Sequence, residues 1–255
     1  MDQYGCKGFV LSERVRTVIE TGSTNADMLS LAGSGVAEGV WLRAERQTGG
    51  RGRQGRLWVS PTGNFYGSTL VRVRGGDPAV ATLALVAAVA LEETVRVYLP
   101  FPGEGRGSAS SGPAIKWPND LLLDGAKLSG SLLERTGDAV VVGIGVNLAH
   151  HPEDTDRRAT SLAAYCPAPA PQEFAETLAD VFARWVGIWR GQGLAPVRAR
   201  WLERAHPIGT ALTARLPDGS AVDGLFGGLD RDGALILRLA DGTTRVIHAG
   251  DVFLL

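Results

Sequence analysis

Short apolar runs separated by Asp-Gly pairs commit a chain to tight antiparallel hairpins, because Asp-Gly tolerates the positive φ angles of a two-residue turn. After Pro207 this sequence is built that way throughout. Ala211–Leu216, Ala221–Asp230, Ala234–Ala240 and Thr243–Ile247 are strand-like, and Asp218-Gly219, Asp232-Gly233 and Asp241-Gly242 stand between them. Strands so closely spaced, with such turns, predict a small antiparallel barrel. The same signal occurs upstream, where Asp124-Gly125 divides two apolar runs within residues 115–134.

The rest of the chain mixes helix and strand. Val15–Glu20, Val40–Glu45, Phe65–Val73 and Ala139–Val146 read as strands. Ser23-Thr24-Asn25 supplies N-cap chemistry for a helix over Ala26–Ala32. Asp77-Pro78 opens an apolar helix running to about Leu99, with Pro78 at its first position. Pro171 starts another, whose stripe of Phe174, Leu178, Val181/Phe182, Trp185 and Ile188/Trp189 faces a core. A further helix covers Val197–Ala205, and residues 100–114 form a Gly/Ser/Pro-rich loop. At 255 residues, 44% hydrophobic and 21% charged, the chain holds one sizeable core plus a small second domain. The fold class is α+β, divided into 1–206 and 207–255.

Composition also narrows function. The apolar run Ala79–Leu91 is too short to span a bilayer, so no membrane role is expected. Met1–Gly5 lacks a signal-peptide pattern, and Cys6 and Cys166 form neither a disulfide framework nor a C-x-x-C pair. His150, His151, His206 and His248 show no metal-ligand spacing. The default setting is cytoplasmic, with no protein-bound metal. A net charge of −1 argues against bulk nucleic-acid binding.

Against that balance, residues 49–58 stand out: Gly49-Gly50-Arg51-Gly52-Arg53-Gln54-Gly55-Arg56-Leu57-Trp58. Glycines let backbone N–H groups approach a ligand, and arginine forks match carboxylate or phosphate. Such a loop would be floppy when empty and would order around an anion. Taken alone, it fits a solvated loop or a nucleic-acid contact as well as a ligand site. Gly50 to Gly55 also matches G-x-G-x-x-G, but the dinucleotide fingerprint needs a helix next. Here Leu57-Trp58-Val59-Ser60-Pro61 reads as extended chain.

Lys116, Asn119, Asp120 and Lys127 fall on or near the 115–134 hairpin. Two cations beside an Asn-Asp pair suit a nucleoside triphosphate with Mg²⁺: ammonium groups for phosphates, oxygens for the metal. Alone, the pair reads more simply as a turn after Pro118 with solvated lysines.

Four segments together carry a resemblance. Gly22-Ser23-Thr24-Asn25, Gln47 with the Gly50–Trp58 loop, Lys116–Gly130 and Val142-Gly143-Ile144-Gly145-Val146-Asn147 occur in one order. In this the sequence is similar to the bacterial biotin–protein ligase (biotin-[acetyl-CoA-carboxylase] ligase) family. The similarity is strong over residues 15–165 and weaker through the C-terminal end. The resemblance implies a mixed-sheet biotin/lipoate-ligase-like catalytic domain followed by an SH3-like β-barrel. It implies that biotin and MgATP give biotinyl-5′-AMP, and that biotin then passes to a lysine of a carboxylase's biotin acceptor domain. Only about twenty residues precede Ser23, so the monofunctional class without a DNA-binding domain is expected, with no DNA partner. A homodimer is left open. Lipoate–protein ligase and a non-enzymatic biotin sensor are the competing readings; the arginine loop disfavours the first, the full motif set the second.

Carried over to this sequence, the resemblance assigns biotin to Ser23, Thr24, Asn25, Gln47, Gly50, Arg51, Arg53, Lys127 and Gly130. It assigns ATP or the adenylate to Arg51, Arg53, Trp58 (stacked on adenine), Lys116, Asn119, Asp120, Lys127 and Asn147. Lys127 bridges the biotin carboxylate and the α-phosphate, and Lys127 and Arg53 are the expected catalytic side chains. Arg56 belongs to the loop without a sharper role. Ser131 stands where the family more often has an aliphatic residue.

Overall fold

Alternation along the strands splits the interior into two cores. The structure, a computed structural model, describes residues 14–100, 112–153 and 158–255. Cys6, nearly all of the 100–114 loop and part of the 150–160 segment lie outside them. β1 (Val15–Thr21), β2 (Trp41–Gln47), β3 (Phe65–Arg72), β4 (Pro113–Lys116), β5 (Asp120–Leu123), β6 (Ala126–Thr136) and β7 (Ala139–Val146) form one sheet in the order β1-β2-β3-β7-β6-β5-β4. The β1–β2 pair is parallel and the other pairs are antiparallel, so the sheet is mixed. Successive residues point to opposite faces. Trp41 and Val142 join the large core under the long helices, while Leu42 and Val141 join a smaller one with Met28 and Ala32.

Those last two residues belong to α1 (Thr24–Gly33), which covers the sheet face that carries the site. Ser23 stands at its N-cap position with extended backbone, yet its hydroxyl makes no capping hydrogen bond. On the other face lie α2 (Leu83–Tyr98), α3 (Pro171–Gln192) and α4 (Leu194–Arg204). α2 differs from the expected helix in its start. A short 3-10 turn, Val80–Thr82, takes up the residues after Pro78, and Thr82 is held there by accepting from Trp189 Nε1 at 2.8 Å. α3 begins at Pro171 and buries the expected stripe. α4 begins three residues before the expected Val197, because Gly193, at φ 78°, breaks the chain direction between the two helices.

After α4 come β8 (Ala211–Arg215), β9 (Ala221–Leu229), β10 (Leu235–Arg238), β11 (Thr244–Ile247) and β12 (Asp251–Leu254), in the order β11-β10-β9-β8-β12. The Asp-Gly turns fall where expected, with Gly219, Gly233 and Gly242 all at positive φ. Two features were not in the sequence reading. β12 is an additional strand, paired with β8, and β11 and β12 are not hydrogen-bonded to each other, so the barrel is open. Its core is continuous with that of the long helices: Trp201 packs on Phe226 at 6.3 Å between ring centroids. Arg198 Nε donates to the carbonyls of Leu229 and Asp230 at 3.0 and 2.6 Å. Among the described residues no helix is long and apolar enough to cross a membrane.

Trp201 is 1% exposed at this junction. Trp201→Ala is expected to cost about 3–5 kcal/mol, the usual penalty for a large core truncation. Urea unfolding measures it, and the loss should register in probes of the C-terminal sheet and of α2 alike.

Candidate active site

The register of the large sheet lays one row of residues across all seven strands: Val18, Ala44, Tyr66, Gly145, Gly130, Asp120 and Lys116. All point to the face that carries α1. In the middle of that row the sheet has no side chains. Gly130 and Gly145 are direct partners, and Gly143 lies two residues farther along β7, opposite Ser68 and Leu132. What rests on the bare patch leaves no room for a Cβ. One added at Gly143 would come within 2.0 Å of Asn25 Oδ1, and one at Gly145 within 2.7 Å of the Trp58 indole. A cavity of about 340 Å³ opens above this floor.

One wall is a network of neutral polar groups. Gln47, at the end of β2, accepts from Thr24 N at 2.9 Å and Thr24 Oγ1 at 3.2 Å, and donates to Ser60 Oγ at 3.1 Å. Ser68 Oγ lies 2.8 Å from Thr24 Oγ1 and donates to Asn25 Oδ1 at 2.6 Å. Asn25 Nδ2 in turn donates to Glu134 Oε2 at 2.7 Å. These bonds fix which way the Gln47 and Asn25 amides point, as a site that reads a polar ligand requires. The unused hydroxyl of Ser23 lies beside them.

Opposite stands a charged triad. Asp120 is buried, and its Oδ2 and Oδ1 are salt-bridged to Lys116 Nζ at 2.8 Å and Lys127 Nζ at 2.7 Å. Burial pushes this carboxyl up, but the two ammonium groups outweigh it and hold Asp120 below the usual carboxylate range. Lys127 Nζ also lies 5.6 Å from the Trp58 ring centroid, over the glycine floor. Asn119 donates from Nδ2 to Ser131 O at 2.6 Å, and Asn147 from Nδ2 to Thr160 O at 3.0 Å. Asp120 and Asn119 do not fit as ligands of a resident Mg²⁺. Both Asp120 oxygens already accept from ammonium groups, and Asn119 Oδ1 accepts from Arg53 Nη1 at 3.4 Å. No group of three or more His, Cys, Asp or Glu converges among the described residues.

The arginine loop closes the cavity as a small hairpin. Arg51 bridges Leu57, Gly52 N donates to Arg56 O at 2.7 Å, and Gln54 turns the chain at φ 56°. Its cations have counter-ions: Arg51 with Glu134 at 3.9 Å, Arg53 and Arg56 with Asp251. Arg53 Nη1 also donates to Gly250 O at 3.1 Å. Each arginine of the loop thus has a carboxylate partner within the protein.

Ser23, Thr24, Asn25, Gln47, Arg51, Arg53, Trp58, Lys116, Asn119, Asp120, Lys127, Gly130 and Asn147 all line the one cavity, as does Arg56. Gly50 does not line it. A Cβ there would lie 2.5 Å from Trp58 O and 2.6 Å from Ser60 Oγ, so this glycine serves the close crossing of two chain segments. Ser131 faces the large core with Ile144, its register partner, and its hydroxyl is buried without a hydrogen-bond partner. Sequence reasoning missed Tyr66, Asp251 and Val252, which also line the cavity. Tyr66 sits in the central row; burial raises its phenol, partly offset by Asn64, and the hydroxyl donates to Pro61 O at 2.8 Å. Strand alternation could have placed Tyr66 in the row; nothing in the sequence read for motifs marks Asp251.

The comparisons agree with this geometry. Residues 25–148 match the biotin/lipoate A/B protein ligase family, and residues 208–255 the biotin protein ligase C terminal domain. A biotin--[acetyl-CoA-carboxylase] ligase of Paracoccus denitrificans is 43% identical over 247 residues, covering 91% of this chain and 97% of that protein. The protein of the same name from Mycobacterium tuberculosis is 37% identical, covering 92% and 86%. Among solved structures, a biotin protein ligase from Aquifex aeolicus in complex with biotin and ATP superposes with a TM-score of 0.81 at 22% identity, over 95% of this chain and all of that one, a likeness of fold. One from Leishmania major in complex with biotinyl-5-AMP gives 0.65 at 25% identity, over 94% of this chain and all of that one. With the motif segments gathered on one cavity and both parts of the chain matched, this protein belongs to the biotin/lipoate A/B protein ligase family, with a biotin protein ligase C-terminal domain.

Proposed function

We propose that this protein activates biotin with MgATP to biotinyl-5′-AMP and transfers the biotin to a lysine of a biotin acceptor domain, such as that of an acetyl-CoA carboxylase. The observation that carries the reading is Lys127. Its ammonium is held by Asp120 over the bare Gly130 floor, between the neutral amide wall and the cationic loop. In the first step a biotin carboxylate oxygen attacks the α-phosphorus and pyrophosphate leaves. In the second the acceptor lysine attacks the acyl carbon and AMP leaves. The first step brings two anions together, so its chief need is fixed positive charge where they meet.

The remaining roles are those the resemblance implies, and the place of these residues on the cavity supports them. Ser23, Thr24, Asn25 and Gln47 hold the polar ureido head of biotin with pre-oriented donors and acceptors. Gly130 lets the ligand lie against backbone. Arg51 and Arg53 cover the carboxylate and phosphate, Lys116 with Asn119 and Asp120 supports the nucleotide side, and Asn147 borders it. Trp58 offers its ring to adenine and has a buried Nε1 without a partner in the described residues. Residues 1–206 form the ligase unit and 207–255 the C-terminal unit, working in the cytoplasm. Biotin-dependent exchange of pyrophosphate into ATP tests the reading: exchange with biotin but not with lipoate is expected, and its absence would refute it.

Two variants test the roles. Lys127→Ala is expected to slow adenylate formation by about 10²–10³-fold, comparable to removing one transition-state hydrogen-bond donor. The loss should appear in kcat more than in biotin binding; near-normal single-turnover adenylation would take Lys127 out of that role. Trp58→Ala is expected to weaken ATP binding by about 1–3 kcal/mol, the worth of a base stacked on an aromatic ring. Calorimetry should show a much smaller loss for biotin, and equal losses would make the indole part of the floor's packing instead.

A further inference from the structure

The C-terminal sheet reaches the cavity at the start of β12. Asp251 accepts from Arg56 Nη2 and lies 3.3 Å from Arg53 Nη1, while Gly250 O accepts from Arg53 at 3.1 Å. Two residues on from Gly250, Val252 O accepts from Lys116 Nζ at 2.9 Å. Three consecutive residues, Gly250 and the first two of β12, thus hold three cations of the site. The anchor is rigid, because Asp251 pairs with Arg215 of β8 and a Cβ on Gly250 would lie 2.6 Å from Arg215 O. The loop it holds carries Gly52 and Gly55, whose wide backbone freedom in the unfolded chain gives its ordering an entropic cost.

We infer that Asp251 is a positioning residue for the reaction: it tethers Arg53 and Arg56 to the C-terminal sheet, and so sets how long the loop shields the activated intermediate from solvent. The inference rests on the proposed adenylation and adds to it a working part from outside the ligase unit. Asp251 does not contact reacting atoms in this account. Its side chain is 12% exposed and Arg53's is 26%, whereas Arg56's is 46%. The Arg53 contact therefore carries most of the tether, since the more exposed pair is screened by water. An anionic ligand does not have to displace the tether. Each guanidinium has five N–H donors, so Arg53 can face a phosphate with some while others stay on Asp251 and Gly250 O.

The test compares wild type, Asp251→Asn and a control on the same strand, Phe253→Ala, whose ring lies under Arg215 instead. Two quantities are read: release of biotinyl-adenylate in the absence of acceptor, and hydrogen exchange of residues 51–56 in the ligand-free protein. Asp251→Asn is expected to speed release about tenfold, the loss of one charge-assisted hydrogen bond. It should also speed exchange at 51–56 while β8 and β12 stay protected, with Phe253→Ala near wild type in both. Unchanged release, loss of protection throughout β8 and β12, or an equal effect from Phe253→Ala overturns the inference. A wild-type protein that makes no adenylate would instead refute the proposed function. The ligand-free exchange measurement would still decide whether Asp251 holds the loop.

Discussion

The missing side chains at Gly130, Gly143 and Gly145 are the constraint on which the rest of the site depends. A seven-stranded sheet ordinarily presents a continuous layer of side chains to whatever packs on it. Here that layer is interrupted at adjacent positions on two neighbouring strands. Asn25 and Trp58, from opposite sides of the cavity, rest on the backbone that is left exposed. The polar wall and the arginine loop can therefore approach each other over a flat floor. A Cβ at Gly145 would push Trp58 outward, and one at Gly143 would displace Asn25 from its hydrogen bonds with Glu134 and Ser68.

Charge is distributed around the floor with the same logic. Five cations, Lys116, Lys127, Arg51, Arg53 and Arg56, face three carboxylates, Asp120, Glu134 and Asp251, leaving two positive charges in excess. Each carboxylate answers cations from more than its own strand or loop, so the cations are oriented before a ligand arrives. Orientation in advance is what makes such charges effective, because nothing has to reorganise as negative charge develops. The buried Asp120 shows the balance most clearly. Removing it would take away the carboxylate that both ammonium groups share.

Much of this was legible in the sequence, and the reasons for the exceptions are physical. Asp-Gly turns and the α3 stripe are local signals, set by backbone angles and by a 3.6-residue period, and both appear where expected. The motif segments were likewise readable, and the structure brings all but Gly50 to one cavity. The misses are properties of the folded chain. The close crossing of Gly50 by Trp58 and Ser60 is one of these. The central row containing Tyr66 exists only through the register of seven strands. α2 starts late because Trp189, over a hundred residues away, binds Thr82, and β12 is four residues long with no turn signal after it.

That last strand also links the C-terminal sheet to the edge of the large one. β4 is the edge of the large sheet, short and close to the site, and it carries Lys116. An exposed edge offers unpaired backbone groups and is free to twist or fray. In this protein the edge is covered on several sides. Ile115 bridges Ala205, Trp117 Nε1 donates to Gly233 O at 3.3 Å, and Lys116 Nζ is tied to Val252 O. The C-terminal sheet thus holds both the edge strand that presents one cation and the loop that presents two more. Moving it relative to the large sheet would change the positions of Lys116, Arg53 and Arg56 together. That coupling ties the pairing of β12 with β8 to the charge geometry of the cavity, which Asp251 and Val252 line.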